Sequence, residues 1–113
     1  MTTLLVLYRA PEGGTDALAT FESRYRDEHL PLVAQTPGLR RTRIFRVGEA
    51  LGGETDVVLV ASMDFDDRAD LDEGLRSDPM RAAGRILREI APGLATFLVV
   101  EDAPDLLGGK VGG

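Results

Sequence analysis

Phe21, Tyr25 and His29 recur every four residues, and Pro31 follows two positions after the histidine. Residues four apart share one side of a helix, so two aromatic rings and an imidazole project together. His29 is the single histidine of the sequence. Imidazole ordinarily titrates near ~6.5, so it can both take and give protons near neutral pH. Tyr25, one turn earlier, carries a hydroxyl able to donate to a substrate oxygen. The chemistry these types point to is proton transfer, with His29 as general acid or base and Tyr25 polarising an oxygen. Phe21, Tyr8, Arg9 and Met63 are the candidates to shape a ligand pocket around them.

Two roles for His29 stay open at this level. A helix C-terminus and the neighbouring Asp27 and Glu28 favour the charged ring, whereas burial against Phe21 favours the neutral one. The ring could equally serve structure, bonded to carbonyls that Pro31 leaves unpaired. Other chemistries find no residues. The absence of cysteine removes disulfides, thiolate metal sites and cysteine nucleophiles. One histidine cannot make a histidine-rich metal site, and Ser23, Ser62 and Ser77 sit in no nucleophile elbow. Gly13-Gly14 lacks the glycine spacing of a nucleotide-binding loop. The expectation is chemistry without metal or cofactor.

These side chains must be held by a small scaffold. Thr3 to Tyr8 reads as a strand ended by Pro11 and Gly13-Gly14. Thr15 or Asp16 is placed to cap the following helix, whose buried stripe is Leu18, Phe21, Tyr25 and Leu32. Pro31 cannot donate to the Asp27 carbonyl and crowds it, so the helix should kink or restart there. Leu39 to Val47 and Asp56 to Phe65 read as strands joined at Gly52-Gly53. Asp64, Asp66 or Asp67 opens a second helix, weakened at Gly74 and recapped by Ser77-Asp78-Pro79. Leu94 to Glu101 closes the order as a fourth strand. Strand, helix, strand, strand, helix, strand is a split βαβ, an α+β ferredoxin-like fold with a four-stranded antiparallel sheet. A single domain over residues 1–102 is expected, with a flexible glycine-rich tail over residues 103–113.

The strands Leu4 to Leu7, Val57 to Ala61 and Phe97 to Val100 are apolar on both faces. Helices in this topology cover one face, so the other would be bare in a lone chain. An isologous homodimer through the sheet faces would cover it. Of the 113 residues, 43% are hydrophobic and 28% charged, ordinary for a soluble globular domain. A net charge of -6 argues against nucleic acid and anionic membranes as partners. Arg40, Arg41, Arg43 and Arg46 lack an aromatic platform and read as a solvated strand face. No stretch has the length of a membrane span and no signal peptide is recognised, so a cytoplasmic location is expected.

The run Leu7-Tyr8-Arg9, Gly14, Phe21, Tyr25, His29-Leu30-Pro31-Leu32, Pro37-Gly38-Leu39 and Arg46 resembles the EthD-like proteins of the dimeric α+β barrel superfamily. Phe65, Leu75, Ser77 and the strand from Thr96 to Val100 continue that resemblance in order and spacing. It implies a ferredoxin-like subunit, a homodimer whose sheets form a barrel, and a pocket between helices and sheet with His29 toward it. Superfamily relatives include cofactor-independent monooxygenases acting on polyketides, polyketide cyclases, lactone isomerases and haem-binding enzymes. The leading expectation is a small homodimeric enzyme acting on an apolar, carbonyl- or phenol-bearing molecule. The competing one is a non-catalytic dimeric ligand-binding or accessory protein with a structural His29.

Overall fold

In the computed structural model, which describes residues 1–108, four strands form one antiparallel sheet. The elements are β1 (Thr2–Arg9), α1 (Gly14–Arg24), a π-helical turn (Tyr25–His29), α2 (Leu30–Val33), β2 (Arg41–Arg46), β3 (Val57–Phe65), α3 (Arg68–Leu75), α4 (Asp78–Ile90) and β4 (Ala95–Glu101). The sheet order is β2-β3-β1-β4, the ferredoxin-like arrangement expected from the element order. The expected tail begins with a short 3₁₀ turn at Pro104–Leu106, and its end, residues 109–113, lies outside the described residues. Among the described residues no helix is long and apolar enough to cross a membrane.

Strand alternation assigns the sheet its two faces. Thr2, Leu4, Val6 and Tyr8 of β1 are buried, as are Leu59, Ala61, Met63 and Phe65 of β3. Register pairs Leu4 with Met63 and Val99, and Tyr8 with Leu59 and Ala95, so these share the helix-covered side. Val6, Tyr8, Phe65, Leu71 and Val33 are the largest side chains wholly removed from solvent. On the opposite side Leu5, Leu7, Val58 and Val60 are half-buried, and Phe45, Leu98 and Val100 are exposed. The apolar second face read from the sequence is thus present and open in the single chain. Arg41 and Arg43 share that face, the Arg43 guanidinium lying 4.6 Å from the Phe45 ring centre. Arg40 and Arg46 instead pair with Asp66 and Glu22.

Local chemistry explains where helices begin. Neither Thr15 nor Asp16 caps α1: Gly13 occupies the cap position and no side chain bonds there. Gly13 and Gly14 take φ of 109° and 72°, a left-handed turn that brings the chain off β1 into the helix before either side chain could cap it. Asp67 does cap α3, accepting from the Asp70 amide at 2.9 Å, and Ser77 caps α4, accepting from the Met80 amide. Asp64 and Asp66 do other work, bonding Thr3 and Arg40. Gly74 is more than a weak point. It is buried, and a Cβ there would stand 2.9 Å from Phe65 Cε2 and 3.2 Å from the Pro37 carbonyl.

Candidate functional site

The first helix does not stop at Pro31. Proline offers no N–H to the Asp27 carbonyl, and its ring crowds that oxygen. The backbone widens one turn earlier instead, and the Leu30 amide donates to the Tyr25 carbonyl, five residues back. Helical geometry then continues through Val33. His29 therefore sits inside a continuous helical segment, not at its C-terminus, and is only 4% exposed.

The widened turn delivers a column of rings. Tyr25 and His29 stack with centres 4.9 Å apart and planes 24° apart. Tyr8, from the middle of the sheet, meets Tyr25 edge-on at 5.1 Å and Phe21 at 5.8 Å. The Tyr25 and Tyr8 hydroxyls are hydrogen-bonded to each other at 3.1 Å. Burial pushes the Tyr25 pKa up to about 12, and burial beside Tyr25 raises that of Tyr8 further. Both phenols are donors at neutral pH, not bases.

Histidine Nδ1 lies 2.9 Å from the Ala83 carbonyl oxygen on α4. A carbonyl only accepts, so Nδ1 carries the proton and donates. Nε2 is then the lone-pair nitrogen of the neutral ring, and no protein partner meets it among the described residues. Burial lowers the His29 pKa below its ordinary value, the Ala83 bond opposing this only in part. Desolvation thus favours the neutral ring. The bonded carbonyl also comes from α4, not from the turn Pro31 disturbs.

A cavity of about 750 Å³ lies between α4 and the helix-covered side of β1 and β4. Tyr8, His29 and Met63 are on its wall, with Leu4, Val6 and Val33. Phe97 and Val99 of the edge strand line it too, 55% and 40% exposed. Tyr25 stands behind this wall, its hydroxyl bonded to that of Tyr8. Phe21 lies deeper in the column and borders a separate hollow of about 410 Å³ beside Arg24 and Ile90. Arg9 is outside the cavity lining. Its guanidinium donates to Thr96 Oγ1 at 2.8 Å and to the Gly93 carbonyl at 2.6 Å. Successive strand residues face opposite ways, so Tyr8 pointing in sends Arg9 out.

The cavity lining on α4 was missed in the sequence: Met80, Arg81, Gly84, Arg85, Leu87 and Arg88. Its legible signal is the recurrence of arginine at 81, 85 and 88, a helical period beside the buried stripe of Ala83 and Leu87. Among the described residues, no group of three or more His, Cys, Asp or Glu could hold a metal ion.

No family model and no curated protein matches this chain. Among solved structures, an ethyl tert-butyl ether D (EthD) family protein from Bacillus halodurans is 30% identical, with a TM-score of 0.81 over 91% of this chain and 99% of that one. The chain belongs to the EthD family. This EthD protein also shares its fold with a dimeric ferredoxin-like protein of unknown function from Bacteroides fragilis (16% identity, TM-score 0.67, 89% and 95% covered). A cofactor-independent oxygenase from Streptomyces nogalater is likewise similar (17% identity, TM-score 0.60, 89% and 90% covered). At those identities the likeness is one of fold alone. The EthD chain here matches these structures over nearly the whole of each partner, so it spans a full subunit of the fold.

Proposed function

We propose that this EthD-family protein is a small homodimeric enzyme that removes a proton from an apolar, carbonyl- or phenol-bearing ligand held in the 750 Å³ cavity. The observation that carries this reading is the tautomer of His29: Nδ1 is committed to the Ala83 carbonyl, which leaves a basic Nε2 on a residue of the cavity wall. Nε2 takes the proton next to a carbonyl, or from a phenol, and the resulting imidazolium keeps its Nδ1 bond to the carbonyl dipole of Ala83. We assign the Tyr8 hydroxyl, kept protonated by burial and closed off from solvent in the free protein, as the donor to the enolate or phenolate oxygen, a role that requires its ring to turn toward the ligand, with Tyr25 behind it. Cyclisation, isomerisation and cofactor-independent oxygenation all start from such an anion. The Streptomyces nogalater neighbour, a cofactor-independent oxygenase, makes the last a reasonable member of that set.

Solvent deuterium exchange into aryl 1,3-diketones reads this step without knowledge of the later one. Wild-type protein should catalyse exchange, and His29→Gln should slow it about 10²–10⁴-fold while ligand binding persists. Exchange at an undiminished rate in the variant would reject the base. The second reading, a non-catalytic binding or accessory protein, draws on the same hydrogen bond, since it ties the π turn to α4. That reading expects no exchange in wild type, and a fold weakened by about 1 kcal/mol in the variant as the bond between the π turn and α4 is lost.

Dimerisation is argued from the open apolar side of the sheet, where Leu5, Leu7, Val58, Val60 and Leu98 gather with nothing of their own chain above them. Exposed patches of this kind mark interfaces. The 12.2 kDa chain should sediment as two copies at micromolar concentration, and Val60→Glu should return it to one. A wild-type monomer would overturn the assembly.

A further inference from the structure

Arg81, Arg85 and Arg88 stand at i, i+4 and i+7 on α4, and all three line the cavity. Among the described residues no aspartate or glutamate lines it, although the chain carries 19 acidic residues against 13 basic ones. Of the nine other arginines, five are paired with a carboxylate. Arg24, Arg26, Arg40, Arg46 and Arg68 each hold a carboxylate within 2.9 Å. The three cavity arginines hold none among the described residues. Like charges one turn apart repel, so an empty trio is electrostatically unsatisfied.

Gly84 sits among them, in the middle of a 13-residue helix. After proline, glycine is the least favourable residue for a helix interior. Packing does not require it: a Cβ there would meet one atom within 4 Å, Arg88 Nη1 at 3.6 Å, an ordinary contact. What the missing side chain provides is room. It opens a recess on the cavity wall, with the Arg88 guanidinium across it and Arg81 and Arg85 on either side in sequence.

We infer that the ligand of this cavity is an apolar carboxylic acid, its carboxylate over Gly84 among Arg81, Arg85 and Arg88 and its body against Leu4, Met80 and Leu87. Guanidinium groups bind carboxylates through paired, parallel hydrogen bonds, which fixes orientation as well as charge. The remaining wall is mostly apolar, as small-molecule sites are, so one charged end and one greasy body is the complement it presents. Anchoring the acid on α4 leaves the body to extend toward His29. The inference rests on the cavity being the ligand site, as proposed above, and names the class of molecule that site selects.

The test uses 2-naphthoate, its methyl ester and 2-naphthyl phosphate as probes, titrated calorimetrically at about pH 7.5, where the acid is ionised. Wild-type protein should bind naphthoate about tenfold or more tighter than the ester. The double variant Arg85→Gln, Arg88→Gln should bring the acid down to the level of the ester and leave the ester unchanged. These side chains are exposed, so the fold should survive their loss. Raising salt from about 50 to about 500 mM should weaken the acid alone. Gly84→Val, which fills the recess, should weaken the acid more than the ester. Equal binding of acid and ester in wild type, or a preference that survives the double variant, overturns the inference and leaves the cavity as a ligand site. Tighter binding of the phosphate than the carboxylate overturns the carboxylate assignment. Failure of all three probes overturns the cavity reading and this one together.

Discussion

Each half of the fold lays an interrupted helix over the same sheet, and the interruptions differ in kind. In the first half, hydrogen bonding passes from α1 through the π turn into α2 without a gap, the Leu30 amide reaching Tyr25 and the Ala34 amide reaching Leu30. In the second half, α3 ends at Leu75 and α4 starts afresh under the Ser77 cap. The residues around each proline explain this. Pro31 has no capping side chain before it, so the helix absorbs the lost bond by widening. Pro79 follows Ser77 and Asp78, which cap a new helix in which proline is welcome in the first turn. A widened turn swings a ring inward, and here it buries an imidazole against aromatics. A recapped break frees the second helix to take its own axis, and it presents leucine, glycine and arginine to the cavity. One half supplies a buried imidazole beside two phenols and the other supplies positive charge.

The largest effect that would break this contrast is expected at Gly74, where the second half makes its break. Gly74→Ala gains up to about 1 kcal/mol of helix propensity. Against this, the new Cβ meets Phe65 Cε2 at 2.9 Å, Thr36 Cγ2 at 3.0 Å and the Pro37 carbonyl at 3.2 Å. Phe65 is wholly buried and cannot retreat, so overpacking wins by about 1–3 kcal/mol net. Thermal melting should show a drop of several degrees. A rise would mean that the close approach of α3 to the Thr36–Gly38 segment is looser than these distances require.

A smaller effect sharpens the other side. Pro31→Ala restores an N–H for the Asp27 carbonyl and removes the ring that crowds it, so the π turn should tighten toward α geometry. Stability should change by about 1 kcal/mol or less, because the regained bond opposes the repacking of Tyr25 and His29. The imidazole should register the change more clearly than the melting curve. Losing its stack and its seat under Ala83, it should titrate closer to the ordinary histidine value by NMR. A titration identical to wild type would mean the ring column, not proline, holds the turn open.

Legibility in the sequence follows the range of the interaction. The strands, their order and the Asp67 and Ser77 caps are written in short apolar runs, turn residues and local side-chain bonds, and they were readable. The π turn was not, because aromatic residues four apart fit an α-helix equally well. The partner of His29 was beyond reach for a stronger reason: a backbone carbonyl 54 residues away has no residue type to announce it. Arg9 is a different matter, since period-two alternation in β1 already sets it opposite Tyr8. The α4 arginines were passed over because charged residues on a helix ordinarily mean solvent. Only the fold reveals that this face meets a cavity.

The smallest expected effect separates the halves by pH. Burial depresses the folded-state pKa of His29 below the ~6.5 of an unfolded chain. At pH 7.5 and above, both states are neutral and the ring makes stability independent of pH. As pH falls through ~6.5, the unfolded state binds a proton that the folded state still refuses, so stability declines until pH passes below the folded pKa. One proton limits the slope to about 1.4 kcal/mol per pH unit. His29 is the single histidine, so His29→Gln should flatten the urea-derived stability between about pH 5.5 and 7. A wild-type profile flat across that window would mean the imidazole is solvated in the folded state, and the neutral Nε2 on which the proton transfer depends would have no basis.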